Sequence, residues 1–246
     1  MGIGPKSEGA MIDDNEVQKK ITAFWSTIAS EYEAHPGNVP ALDSEEYRQW
    51  VKALAGLLPP APGDVLDVAT GTGFVAMIAA GLGHRVAAID LSEPMLEVAR
   101  AEAQRRHLEI AFRQDDAIAP DFSGKSFDAV ISRHLIWTLR DPHRALSNWR
   151  ILLKPGGRVV AIDGFWFKPE PEAADSTEGS GFFEQFYSKK IRATLPGWRY
   201  FSAEPLVELF QAAGFSRVTV TALEAVQRVA LHPPSEEPAY ALVAFA

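Results

Sequence analysis

The spacing of apolar residues along this chain changes near residue 60, and the change divides the chain in two. Residues 15–34 (NEVQKKITAFWSTIASEYEA) place Val17, Ile21, Phe24, Ile28 and Tyr32 three or four apart, which predicts a helix. Pro36, Gly37 and Pro40 break it. A second helix is predicted over 44–58, with Ser44 as N-cap and Pro59 and Pro60 closing it. From residue 64 onward short apolar runs alternate with helical stretches. Strands are predicted at 64–68, 85–90, 108–113, 127–132 and 158–163, with helices at 74–82, 91–106 and 145–153 between them. Ser92 and Pro94 suit the start of the 91–106 helix, and the Lys154-Pro155-Gly156-Gly157 run ends the third. A helix at 204–213 and strands at 217–223 and 239–246 follow. Only a short excursion separates those two strands, so they are expected to pair antiparallel. The alternation as a whole predicts an α/β chain with a doubly wound, mostly parallel sheet.

One segment breaks the rhythm. Residues 165–201 hold Phe165, Trp166, Phe167, Phe182, Phe183, Phe186, Tyr187, Trp198, Tyr200 and Phe201, out of 14 Phe, 6 Trp and 5 Tyr in the chain. Its middle, 169–181, is acidic and contains Gly, Ser and Pro, so it is expected to be mobile. Composition narrows the classes. A chain of 246 residues with 47% hydrophobic and 23% charged residues is one large domain, or one domain with a lid. Helical bundles, disulfide scaffolds and disordered chains fit poorly. There is no cysteine, hence no disulfide, no thiolate zinc site and no cysteine nucleophile. The six histidines show no metal-ligand spacing, and no metal is expected. A net charge of −8 argues against a nucleic-acid partner. No apolar run reaches the roughly 20 residues of a membrane span, so no membrane partner is expected. Residues 1–14 lack a signal-peptide pattern and read as a disordered leader before one domain over 15–246. The expectation is a cytoplasmic protein, monomer or homodimer, acting on a small molecule.

In a doubly wound sheet the ligand lies beyond the carboxyl ends of the strands. After the first strand come Asp67, Ala69, Thr70, Gly71, Thr72 and Gly73; after the second, Asp90; after the third, Asp115 and Asp116; after the fourth, Arg133, His134 and Trp137. Gly71 and Gly73 let the backbone turn sharply and approach a ligand. Asp90 lies about 20 residues beyond them, where a carboxylate can take both hydroxyls of a ribose. Asp116 can accept from an exocyclic amine of adenine, whereas Asp115 is expected to be solvated. This describes a nucleoside pocket. Gly71-x-Gly73-x-x-Ala76 with Asp90 also satisfies a dinucleotide fingerprint, which keeps an NAD-dependent oxidoreductase as an alternative. Asp67 opposes it, because a carboxylate beside the loop repels a pyrophosphate and suits an ammonium group.

Taken in order, VLDVATGTGFVA (65–76), AIDLSEPMLEVAR (88–100), QDDA (114–117), FDAVIS (127–132), LLKPGG (152–157) and GFSRVTV (214–220) resemble the class I S-adenosylmethionine-dependent methyltransferases. The match runs through residues 64–164; Ala69 departs from it, standing where the family often has a glycine. The resemblance implies a seven-stranded Rossmann-like sheet with an antiparallel last strand, an N-terminal helical cap over 15–60 and an aromatic acceptor lid over 165–201. It implies S-adenosyl-L-methionine as cofactor and S-adenosyl-L-homocysteine as product. Asp67, with Ala69, Thr70, Gly71 and Gly73, would hold the methionine end, and Asp90 the ribose. Leu91 and Met95 would flank the adenine, Asp116 and Ala117 would meet its edge, and Tyr32 would close over the cofactor.

The acceptor side stays open. His134 reads either as a general base for a hydroxyl acceptor or as a histidine that packs or touches the cofactor. Arg133 could pair with the methionine carboxylate, with an acidic acceptor, or within a salt bridge. Trp137 could line the pocket or pack a helix. His35, Phe165, Trp166, Phe183 and Tyr187 are the remaining acceptor-side candidates, while Phe24 and Trp25 are expected in the core. The acceptor is expected to be a small aromatic or apolar metabolite, methylated at O or N. A non-catalytic cofactor-binding module and an RNA or protein methyltransferase are further alternatives.

Overall fold

A computed structural model of the chain describes residues 13–34, 38–164, 181–224, 226 and 239–246. Seven strands, β1 (Asp64–Val68), β2 (Arg85–Asp90), β3 (Ile110–Gln114), β4 (Phe127–Arg133), β5 (Leu153–Asp163), β6 (Arg217–Ala222) and β7 (Tyr240–Phe245), form one sheet. Their order is β3-β2-β1-β4-β5-β7-β6. β1 pairs parallel with β2 and β4, and β7 runs antiparallel between β5 and β6. Val65, Leu66 and Val68 of β1 are fully buried, as expected of a central parallel strand covered on both faces. One face packs on α2 (Glu45–Leu57) and α3 (Phe74–Gly81) through Trp50, Leu54, Phe74 and Ile78. The other packs on α5 (Pro142–Leu152) and α8 (Ala203–Ala212) through Leu146, Trp149, Leu206 and Phe210. The chain leaves β1 toward β2 on one side and returns to β4 on the other. This reversal opens a crevice at the carboxyl ends of β1 and β4.

Several boundaries depart from the sequence reading. α1 (Asp14–Ile28) stops six residues short of the predicted end, and a 3-10 turn at Tyr32–Ala34 follows. Ala29 and Tyr32 turn inward there to pack on Met95 of α4 (Glu93–Arg105). α5 begins at Pro142, ahead of the predicted 145, because the Asp141 side chain caps it by accepting from the Arg144 N–H at 2.9 Å. β5 starts at Leu153 rather than at 158. The Lys154–Gly157 run is therefore a strand irregularity: the register shifts between Phe127 and Ala129, and Gly156 sits at φ +78. A Cβ on Gly157 would lie 2.9 Å from the Lys154 carbonyl oxygen, so the glycine lets the backbone fold against itself.

Within the interrupting segment, residues 165–180 lie outside the described residues, as do residues 1–12 of the predicted leader. Its remainder forms α6 (Phe182–Phe186), α7 (Lys189–Thr194) and a 3-10 turn at Pro196–Arg199. These pack on α1 as an aromatic cluster. Phe24 meets Phe183 and Tyr187 edge-on at 5.4 and 5.5 Å, and Phe183 stacks on Tyr187 at 4.6 Å. Among the described residues no helix is long and apolar enough to cross a membrane.

Candidate functional site

A cavity opens over the carboxyl ends of β1, β2, β3 and β4, where a doubly wound sheet places its ligand. Its floor is the loop after β1. Ala69 and Gly71 lie in the left-handed region at φ +54 and +57, and the Thr70 N–H donates to the Ile89 carbonyl at 2.9 Å. Ala69 holds this conformation without being glycine, which costs about 1–2 kcal/mol and explains why glycine is favoured there. A Cβ on Gly71 would meet no atom within 4 Å, so its backbone faces open space. Gly73 plays a different part. A Cβ there would lie 3.0 Å from Met77 Cε and 3.2 Å from Ala99 Cβ, so the glycine lets α3 and α4 approach, and it does not line the cavity.

Asp67, the penultimate residue of β1, stands at the cavity wall and is 2% exposed. Its Oδ2 accepts from the Thr70 hydroxyl at 2.7 Å. Burial pushes its carboxyl up to about 7, against the opposing pull of Thr70 and the Arg133 guanidinium. Asp90 is held more rigidly. One carboxylate oxygen accepts from the Gly71 N–H at 2.9 Å and the other from the Ser92 N–H at 2.8 Å. Burial raises its pKa, and those backbone donors resist the rise. Leu91, Met95, Ala117 and Tyr32 line the same cavity, so the structure gathers these predicted cofactor residues in one place.

At β3, Asp116 lines the cavity while its Oδ1 accepts from the Ile118 N–H at 2.8 Å. Asp115 is not simply solvated. It caps the turn by accepting from the N–H groups of Asp116 and Asp121, and it pairs with Arg113. At β4, the Arg133 guanidinium lies 4.6 Å over the Phe74 ring and donates from Nη2 to the Asn38 carbonyl at 2.8 Å. Its Nη1 is buried at the cavity with no hydrogen-bond partner among the described residues. His134 follows at φ +58, 7% exposed and also at the cavity wall. Burial, then the neighbouring Arg133 charge, hold its pKa well below the ordinary histidine value, so the ring is neutral at pH 7.

Trp137, Phe183 and Tyr187 lie elsewhere. They belong to the aromatic cluster beside the cavity, with Trp137 and Tyr187 rings 5.3 Å apart. Tyr187 stands one layer behind the wall: Trp25 Nε1 donates to its hydroxyl at 3.1 Å, and Thr138 Oγ1 lies 2.7 Å away. Its apolar setting draws these rings to one another rather than into the open crevice. His35, Phe165 and Trp166 lie outside the described residues. The sequence reading missed a wall of α1, where Gln18, Ile21, Thr22 and Trp25 line the cavity. Phe24 is core as expected, whereas Trp25 is not confined to it. The available signal was Gln18 and Thr22 one helical turn apart beside the apolar stripe.

These features fit S-adenosylmethionine. A buried carboxylate at Asp67 suits an ammonium group, and the partnerless Arg133 Nη1 suits a carboxylate. The Thr72 hydroxyl is also buried at the cavity without a hydrogen-bond partner among the described residues, and the Gly71 backbone leaves a cradle a side chain would fill. Comparisons agree. A methyltransferase-domain family model matches residues 66–161. The chain is 33% identical over 172 residues to the demethylmenaquinone methyltransferase of Thermus thermophilus, spanning 65% of this chain and 77% of that one. It is 30% identical over 224 residues to the ubiquinone/menaquinone biosynthesis C-methyltransferase UbiE of Bradyrhizobium diazoefficiens, spanning 82% and 85%. Phosphoethanolamine N-methyltransferase 2 of Haemonchus contortus, solved with S-adenosyl-L-methionine, superposes with a TM-score of 0.60 at 25% identity. That likeness covers 80% of this chain but only 43% of the longer one. The chain belongs to the class I S-adenosylmethionine-dependent methyltransferases.

Proposed function

We propose that the chain methylates a ring carbon of a small hydroxylated aromatic acceptor of the quinol type. The observation that carries this is the 33% identity to a demethylmenaquinone methyltransferase over 77% of its length. The O or N target expected from the sequence gives way here to carbon, in line with the C-methyltransferase relative. Family membership also removes the nicotinamide alternative. S-adenosylmethionine supplies an electrophilic methyl group on a sulfonium that departs as a neutral thioether. The chain's own residues do the rest. Neutral His134 takes the proton of a phenolic hydroxyl, which makes the adjacent ring carbon nucleophilic. Once the carbon–carbon bond has formed, the proton on that carbon passes to water and the ring regains aromaticity as a phenolate, whose oxygen takes back the proton held by His134; the net proton leaves to solvent and the base is reset. The walls from Ile21, Trp25, Leu135 and Leu139 exclude water and hold the acceptor in line. Arg133 holds the methionine carboxylate and Asp67 the ammonium.

The test is an assay with ¹³C-methyl S-adenosylmethionine and a demethylated naphthoquinol bearing a short prenyl chain. A product with its label at a ring-methyl carbon shift supports the proposal. Label at a methoxy shift, or no product from a protein that binds S-adenosylhomocysteine normally, overturns it. The cofactor assignment is tested separately. Arg133→Met keeps an apolar contact with Phe74 but loses a charge-assisted hydrogen bond of roughly 1.5–3 kcal/mol. It is expected to weaken S-adenosylhomocysteine about 10–100-fold in calorimetric titration. 5′-Methylthioadenosine, which has no amino acid tail, should bind the variant as it binds the wild type. Equal losses for both ligands would remove the carboxylate assignment.

A further inference from the structure

We infer that Asp163, at the carboxyl end of β5, is a positioning residue that sets the turn carrying His134 and Leu135 into the cofactor cavity. Asp163 itself is not among the cavity's lining residues, and it is 2% exposed. It therefore acts through its neighbours. The turn after β4 adopts a backbone that needs support: His134 sits at φ +58, which histidine tolerates better than most residues but which still costs free energy. Two bonds to β5 hold it. The His134 N–H donates to the Ile162 carbonyl at 2.8 Å, and the Ile136 N–H donates to Asp163 Oδ2 at 3.1 Å. The other oxygen, Oδ1, accepts from the Gly164 N–H at 3.0 Å. Two backbone donors on two oxygens is a task for a carboxylate, because an amide offers one acceptor oxygen and would set an N–H against the second donor.

The same turn is also pressed by the aromatic segment. A Cβ on Gly197 would lie 2.5 Å from the Ile136 carbonyl oxygen and 2.5 Å from Trp137 Cα, so the 3-10 turn at Pro196–Arg199 rests directly on this backbone. Leu135, Thr138 and Leu139, which leave this clamp, all reach the cavity wall. Asp163 on the sheet and Gly197 on the aromatic segment thus both hold one backbone path. A displacement of about 1 Å at a reacting group can cost ~10²-fold in rate, so the clamp sets the acceptor side of the cavity without touching a ligand.

The inference rests on the proposed role of His134 for its effect on rate, and the position of the turn is read separately. Asp163→Asn and Asp163→Ala are compared with wild type by ¹⁵N-histidine NMR, with the His134 ring resonances assigned by their loss in His134→Asn. S-adenosylhomocysteine titration, thermal melting and turnover of the naphthoquinol complete the comparison. The expected result is that His134 resonances move in both variants and turnover falls about 10-fold for Asn and ~10²-fold for Ala. S-adenosylhomocysteine affinity should stay near wild type in Asn, which keeps one acceptor. If Ala fails to fold, Asn gives the same reading. Unmoved resonances with normal turnover overturn the inference. So does a fall in cofactor affinity and melting temperature in step with turnover, which is what a merely structural residue would produce. Moved resonances beside a fully active His134→Asn would keep the positioning role of Asp163 and remove the base role of His134.

Discussion

Replacing His134 by asparagine is expected to lower turnover about 10²–10⁴-fold, the range for losing a general base, while S-adenosylhomocysteine affinity stays near wild type. Asparagine is the informative substitute because it tolerates the left-handed backbone at φ +58, so the turn survives and only the basic nitrogen is lost. The environment of His134 sets the pH behaviour. Burial and the Arg133 charge hold its pKa well below 6.5, so the base form persists on the acid side of neutrality. Turnover limited by His134 should therefore not fall as pH drops through 6.5. Stability should behave differently. The unfolded chain takes a proton on this histidine near 6.5 and the folded chain does not, so this residue costs stability as pH falls below that value. Initial rates from pH 5.5 to 8 for both proteins, with melting curves at each pH, check both statements. An asparagine variant turning over at the wild-type rate would end the base assignment.

Much of the fold could be read along the chain because the central parallel strands β1, β4 and β5 are buried on both faces. That burial forces continuous apolar runs such as AVI (129–131) and VVAI (159–162), which a strand-helix alternation then orders. The antiparallel pairing of β6 and β7 matches the expectation, whereas the insertion of β7 between β5 and β6 was not legible, since strand order depends on contacts the period does not encode. The Lys154–Gly157 run misled for a local reason. Pro and two glycines usually end a helix, and here they also begin the next strand, bending it by a register shift. α1 read too long because Tyr32 continues the apolar period of the helix although it packs from a separate turn onto Met95.

The part of the cavity formed by the strand ends was legible for a related reason. Asp67, Gly71, Asp90 and Asp116 lie at or just beyond the ends of strands one, two and three, so knowing the strands located the residues. The acceptor side was not. Trp137, Phe183 and Tyr187 are aromatic and near the sheet top, which made them candidates, yet each finds enough aromatic surface in its neighbours to pack away from the crevice. Trp25 carries the opposite lesson: it lies beside the apolar stripe of α1, and its indole reaches both Tyr187 and the cavity. Asp163 was invisible as more than the end of a strand, because its long-range partner, the Ile136 N–H, is a backbone group of a different loop.

Asp67 offers the second large effect, and it sets stability against binding. Its carboxyl titrates at 3.8 in an ordinary setting and at about 7 here, raised by burial. Between those values the folded chain holds a proton that the unfolded chain has shed. Stability from this group therefore declines as pH rises from about 4 to 7, and the full penalty stands above 7. Asp67→Asn removes the penalty and keeps an acceptor for the Thr70 hydroxyl. The unliganded variant is expected to melt several degrees higher than wild type at pH 8. Binding should move the other way. The ammonium group of S-adenosylhomocysteine favours the ionised carboxylate, so wild-type affinity should rise with pH by up to about tenfold per unit until Asp67 is ionised near 7. Asp67→Asn should bind it roughly 10–100-fold more weakly at pH 8, with no pH dependence from this group, since a charged hydrogen-bond partner has been lost. 5′-Methylthioadenosine, lacking the amine, should show a flat profile in both proteins. Titrations at pH 5.5, 6.5, 7.5 and 8 decide the matter. A flat wild-type profile for S-adenosylhomocysteine would mean that Asp67 does not meet the ammonium group, and a variant no more stable than wild type at pH 8 would mean that its burial carries no cost. Both results together would leave the carboxylate as a loop cap for Thr70; the expected pair makes it a residue whose buried charge is tolerated for the ligand it awaits.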